Sequence, residues 1–161
     1  LARRDDGIKP EIETLEPAFF DTVFTNYAMI AEENEKGFTA QNQVGRPINT
    51  DKTLLKQLMT ILFDNAIKYT EEDGHVTFTV RTNDRHLYIT VADNGPGIAD
   101  SDKKKIFDRF YRVDKARTRQ KGGFGLGLSL AQQIVLALKG TIIVKDNQPK
   151  GTIFEVKITG V

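Results

Sequence analysis

Four stretches combine side chains that handle charge with glycines that bare the backbone. Asp93-Asn94-Gly95-Pro96-Gly97-Ile98 follows an alternating run, Leu87 to Val91, that reads as a strand. A carboxylate at a strand end can accept a hydrogen bond from an exocyclic amine, and the glycines let a flat base approach the main chain. Alone, the stretch is better read as a hairpin turn, because Asn-Gly is a frequent tight-turn pair. Asp64-Asn65-Ala66-Ile67-Lys68-Tyr69 closes an apolar-periodic segment, and Asn65, Lys68 and Tyr69 share one helical face. The Asn65 carboxamide oxygen suits Mg2+, and a cation one turn on suits a phosphate. Alone, this too is better read as an ordinary polar helix end, with a Lys near the negative pole.

Phe107-Asp108-Arg109-Phe110-Tyr111-Arg112 alternates aromatic and basic residues, and fits either a ligand edge or a core Phe pair with surface charges. Lys121-Gly122-Gly123-Phe124-Gly125-Leu126-Gly127-Leu128 stands before a helical segment, where exposed amides and the positive dipole end favour a phosphate. The loop ahead of it carries Arg112, Lys115, Arg117, Arg119 and Lys121 against Asp114, leaving +4. A basic loop before a glycine hinge makes a lid over a triphosphate. Neither a Walker pattern nor a dinucleotide fingerprint is present, since no Gly-Lys-Ser/Thr ends the loop and no strand immediately precedes it.

These stretches need elements to hold them. Glu11–Glu16 reads as a short strand or linker, and Pro17 as a first helical position ahead of Phe20, Val23, Phe24, Tyr27 and Ala31 at helical spacing. That helix is expected to stop near Lys36, with Gly37 as its cap, and Phe38–Val44 to be a strand. Asp51 is an N-cap for a helix running to Tyr69, with Leu54, Leu55, Leu58, Ile61, Leu62 and Ala66 on its apolar face. Strands follow at His75–Thr82 and His86–Val91 around an Asn83-Asp84 turn. Ser101 is expected to cap a short charged helix toward Phe107, and 111–124 to be a loop. A helix over Gly125–Lys139, ended by Gly140, leads to strands at Thr141–Lys145 and Thr152–Thr159 around Gln148-Pro149-Lys150-Gly151. Consecutive strand pairs argue against a doubly wound sheet and for strands with helices on one face.

Composition narrows the function. The 161 residues suit one domain with a real core, and 39% hydrophobic with 28% charged residues is ordinary for a globular protein. A net charge of +1 gives the chain no strong attraction to nucleic acid or anionic membrane. Without Cys there are no disulfides, thiolate nucleophiles or zinc–thiolate sites. No apolar run reaches membrane-spanning length. Beginning at Leu1 without Met, the chain is expected to be a piece of a longer one.

Taken together and in order, the stretches resemble the ATP-binding catalytic domain of sensor histidine kinases, in the GHKL superfamily. Residues 64–70 resemble its N box, 93–98 its first glycine box, 107–112 its F box, 123–128 its second glycine box, and Gly151-Thr152 with Phe154 its final Gly-Thr-x-Phe element. The resemblance implies the Bergerat fold: an α+β two-layer sandwich, its mixed, mostly antiparallel sheet covered on one face by about three helices, with an ATP lid. It implies that Asn65 holds Mg2+, that Lys68 and Arg112 meet phosphates, and that these three are the catalytic set. Tyr69 would stack on the adenine and Asp93 bond its amino group. Gly95, Gly97, Ile98, Phe107, Lys121, Gly123, Gly125, Leu126, Gly127, Leu128 and Thr152 would complete the ATP pocket. Residues 1–13 would be the tail of a preceding dimerisation and phosphoacceptor helix with its linker, and 14–161 the catalytic domain. Implied partners are that phosphoacceptor domain, within a homodimer, and a response regulator; nucleic acid and direct membrane contact are not implied. The implied location is the cytoplasmic side of a membrane-anchored bacterial sensor kinase.

Three features depart from the family pattern. Ile61 stands where many histidine kinases carry another Asn, and where ATP-hydrolysing relatives carry a Glu that activates water; Ile61 cannot act as a base. Phe124 replaces the usual small hydroxyl residue. The only histidines, His75 and His86, fall in expected strands and read as surface or structural residues, so the phosphoacceptor is expected upstream.

Overall fold

The computed structural model describes residues 7–109, 111 and 127–161; Arg112, Lys121, Gly123, Gly125, Leu126, Phe124 and the expected lid lie outside that set. The described elements run β1 (Glu13–Leu15), α1 (Ala18–Glu33), β2 (Gly37–Gln43), β3 (Ile48–Thr50), α2 (Lys52–Tyr69), β4 (His75–Thr82), β5 (His86–Asp93), α3 (Asp100–Lys103), α4 (Gly127–Ala137), β6 (Gly140–Asp146) and β7 (Thr152–Thr159). Five strands form one sheet in the order β2-β4-β5-β7-β6. β2 lies parallel to β4 and every other pairing is antiparallel, as the mixed sandwich requires.

Period-two patterning decides which face is covered. Val76, Phe78 and Val80 of β4, Leu87, Ile89 and Val91 of β5, and Phe154, Val156 and Ile158 of β7 are all buried, while their alternate neighbours are at least partly exposed. The helices α1, α2 and α4 meet that inner face through Phe20, Phe24, Leu55, Leu58, Leu62, Ile134 and Val135. Tyr27 stacks on Phe63 with centroids 4.2 Å apart, and Phe24 and Phe38 pack around them. Truncating buried Phe24 or Phe63 to Ala costs about 3–5 kcal/mol.

Asp51 caps α2 as expected: one carboxylate oxygen accepts from Leu54 N at 2.9 Å, and the other accepts from Glu11 N at 2.7 Å. The turn after β4 also follows expectation, since Asn83 Oδ1 accepts from the amides of Arg85 and His86 at 3.0 and 2.9 Å.

Three helix ends differ from the sequence expectation. α1 is closed by Asn34, whose Nδ2 donates to Ile30 O at 2.8 Å, and Glu35 takes the left-handed position at φ 58°. Gly37 instead opens β2, where a Cβ would fall 2.3 Å from His75 Nδ1. Likewise Lys139 takes the left-handed position at φ 64°, and Gly140 opens β6 because a Cβ there would lie 2.4 Å from Lys157 O. At Gly140 packing against the backbone of the neighbouring strand, not the cap, demands the glycine; at Gly37 the near atoms belong to the exposed His75 ring. Ser101 lies inside α3, whose N-cap is Ala99 without a side-chain bond. The sequence reading missed β3, which pairs antiparallel with β1. Its three residues are too few to show a period, although Ile48 and Thr50 are buried. No described helix is long and apolar enough to cross a membrane.

Candidate functional site

β5 ends on Asp93, which is 6% exposed. Its Oδ1 accepts from Gly95 N at 2.9 Å and Thr152 N at 3.3 Å. Its Oδ2 has no partner among the described residues. Burial pushes the carboxyl above its ordinary range, and the two amides act against that shift. A buried carboxylate with one oxygen satisfied and the other open is poised to accept one more donor.

The surroundings of Asp93 are built from close backbone approach. A Cβ on Gly95 would lie 2.5 Å from Tyr69 O, so the glycine lets β5's end rest on the end of α2. Gly97 has φ 85° and faces Gly151 O. Thr152, the first residue of β7 and 5% exposed, stands opposite Asp93 of β5 and Asp146 of β6. Asn94 turns outward, where its Oδ1 accepts from His75 N at 2.9 Å.

α2 supplies the second wall. Asn65 and Tyr69 are half-buried and Lys68 is exposed, so the expected metal ligand, phosphate cation and stacking ring lie on one accessible turn. Burial also raises the Asp64 carboxyl, against the pull of Lys68. The turn is locked from behind: the buried Thr70 hydroxyl donates to Ala66 O and Ile67 O at 3.1 and 3.2 Å. Lys36 Nζ donates to Thr70 O at 2.7 Å and Glu71 O at 2.8 Å. The sequence reading did not single out Lys36, because its partners are main-chain atoms more than thirty residues away.

Ile98 is half-buried against the core, and Phe107 meets Phe154 edge-on with centroids 6.2 Å apart. Tyr111 donates its hydroxyl to Asp102, a bond that raises its pKa. Lys103 pairs with Asp100 and, at 2.8 Å, with Asp146, joining α3 to the end of β6. Gly127 opens the described part of α4, and a Cβ there would sit 3.5 Å from Ile61 Cγ2; Leu128 packs on the core. Ile61 therefore braces α4 against α2. His75 and His86 are tied to Thr39 at 2.8 Å and Asn83 at 3.3 Å.

Asn65, Tyr69, Asp93, Gly95, Gly97 and Thr152 thus gather where β5, β7 and α2 end. Among the described residues no cluster of three or more His, Cys, Asp or Glu could hold a metal by itself. Asn65 can still serve a cation whose other ligands are water and phosphate oxygens. The sequence reading also passed over Asn147, whose Nδ2 donates to Asp93 O at 2.8 Å.

Comparison with known proteins identifies the family and the fold. The family model for histidine kinase-, DNA gyrase B-, and HSP90-like ATPases matches residues 50–160. The sensor protein CiaH of Streptococcus pneumoniae is 71% identical over 158 residues, 98% of this chain and 36% of the relative. The sensor histidine kinase WalK of Bacillus subtilis is 47% identical over 107 residues, 65% of this chain and 18% of the relative. This chain therefore spans about a third or less of these relatives' length. The solved structure of the mycobacterial sensor histidine kinase MprB superposes with a TM-score of 0.76 at 26% identity, over 92% of this chain and 98% of that one. The chain belongs to the family of histidine kinase-, DNA gyrase B-, and HSP90-like ATPases.

Proposed function

We propose that the chain binds Mg-ATP and serves as the catalytic part of a two-component sensor histidine kinase. The γ-phosphoryl would pass to a histidine on a separate phosphoacceptor domain. Residues 14–161 are the ATP-binding unit in this reading, and 1–13 the tail of the phosphoacceptor helix with its linker. The observation that carries the proposal is the open Oδ2 of buried Asp93, an acceptor matched to the exocyclic amine of adenine. In this reading half-buried Tyr69 would stack on the adenine, and Lys68, exposed on α2, would meet phosphates. Asn65 would hold Mg2+, which when bound neutralises charge on the phosphates. Arg112, Lys121 and the glycines at 123 and 125 would close over them. The work of the chain is positioning and electrostatics, with no general base of its own. The partners are the phosphoacceptor domain of a homodimeric kinase and a response regulator, on the cytoplasmic side of a membrane.

Isothermal titration of the chain with ATP and Mg2+ tests the binding step; no heat at millimolar nucleotide overturns it. Joining the chain to its phosphoacceptor segment and supplying radiolabelled ATP tests the transfer. One observation favours a second reading, a nucleotide-binding partner module without transfer: Ile61 offers no oxygen where a metal-shell side chain is common. That module would bind ATP and leave the histidine unlabelled.

A further inference from the structure

One loop grips Asp93 at three points. From the segment between β6 and β7, Asn147 Nδ2 donates to the Asp93 carbonyl at 2.8 Å, and the Thr152 amide donates to its carboxylate at 3.3 Å. Gly151, at φ 116°, packs so close that a Cβ would lie 1.9 Å from the same carbonyl. The loop is braced internally, with Asn147 N donating to Gly151 O at 3.0 Å and Gln148 N to Asn147 Oδ1 at 2.9 Å. Its root, Asp146, is tied to Lys103 at 2.8 Å.

Asn147 therefore uses both ends of its carboxamide. The oxygen shapes its own turn and the nitrogen reaches across 54 residues of sequence to the last rung of β5. The carbonyl it holds belongs to the residue whose carboxylate must point one oxygen inward. Fixing that peptide plane fixes the origin from which χ1 and χ2 of Asp93 are measured, and a small tilt there moves Oδ2 out of line with an incoming amine. We propose that Asn147 is a positioning residue for Asp93: it touches no base itself, and it sets the preference of the site for a purine with an exocyclic amino group. The inference rests on the ATP reading given above.

The test uses the 161-residue chain, with ATP and inosine triphosphate competing in turn against a fluorescent ATP analogue in the presence of Mg2+. Inosine triphosphate keeps the sugar, the phosphates and the purine rings but carries a carbonyl where adenine has its amine. Asn147→Ala loses both ends of the carboxamide; Asn147→Asp retains the acceptor for Gln148 N but replaces the donor with a carboxylate oxygen that repels the Asp93 carbonyl. Both variants are expected to bind ATP at least about fivefold more weakly, the worth of one hydrogen bond. Affinity for inosine triphosphate should be unchanged, so the ATP preference shrinks by the same factor. Thermal melts of the variants without nucleotide confirm that the fold is retained. Unchanged ATP affinity, or equal losses for both nucleotides, overturns the positioning role. If the parent chain itself binds neither nucleotide, the ATP reading fails, and that result is distinct from any difference between variants.

Discussion

The carbonyl oxygen of Tyr69 occupies the space a side chain on Gly95 would need, 2.5 Å from the position of its first carbon. The end of α2 and the turn that follows β5 are thus in close backbone contact. Gly95→Ala is expected to destabilise the chain by about 1–3 kcal/mol through overpacking, and to weaken ATP binding at least tenfold. Chemical denaturation and titration with Mg-ATP check the two effects; a variant that binds as the parent does would show that the contact is dispensable.

Asp93 separates stability from binding. Burial raises its carboxyl above the ordinary carboxylate range, so the stability it contributes is complete below the unfolded pKa and is lost as pH rises through the folded value. Asp93→Asn removes that loss while keeping an oxygen for Gly95 N and Thr152 N. Without nucleotide, the melting temperature of the variant minus that of the parent should increase from about pH 4 to pH 7. ATP affinity should fall tenfold or more, because a carboxamide accepts the amine less well than a carboxylate. Melts across pH, paired with titrations at neutral pH, read both. A variant less stable than the parent at neutral pH and equal to it in acid would reverse the sign.

Lys36 acts on the same helix from behind. It closes two carbonyls beyond the last turn of α2, which carries Lys68 and Tyr69. Lys36→Met keeps the stem and removes the donor. The expected loss is about 1–2 kcal/mol of stability, together with weaker ATP binding. Lys36→Arg should restore most of both. Urea denaturation and nucleotide titration on the pair distinguish lost capping from lost packing.

Glycines of the nucleotide motifs are not equivalent. Among the described residues a Cβ at Gly127 would meet only Ile61 Cγ2, at ordinary van der Waals distance, whereas one at Gly151 would run into the Asp93 carbonyl. Gly127→Ala is expected to be neutral or stabilising by up to about 1 kcal/mol, since Ala is the better helix former. Gly151→Ala is expected to destabilise by about 1–3 kcal/mol or more, both for the clash and for its left-handed backbone. Thermal melts of the two variants side by side decide it.

What the sequence made legible was whatever lies within one element or one motif. The helical face with Leu55, Leu58 and Leu62, the Asp51 cap and the alternation of β4, β5 and β7 all repeat at short range, so their periods are visible. The motifs placed Asp93, Gly95, Asn65 and Tyr69 in one region for the same reason. Lys36, Asn147 and the bracing role of Ile61 depend on atoms brought together from distant segments. No local pattern marks them. The misassigned cap at Gly140 has the same origin: a glycine required by a neighbouring strand looks identical, in sequence, to one required by a helix end.

Asp93 and Thr152 share the rung nearest the site, and the same alternation that turns the Asp93 carboxylate inward buries Leu87, Ile89 and Val91. A slip of one residue between β5 and β7 would expose those three side chains and turn the carboxylate to the opposite face together. A ligand that needs the carboxylate inward thus discriminates between registers as well as between nucleotides. Nucleotide binding then works as a check on folding: only a correctly paired sheet can hold the ligand, and a held ligand adds its binding energy to that pairing alone.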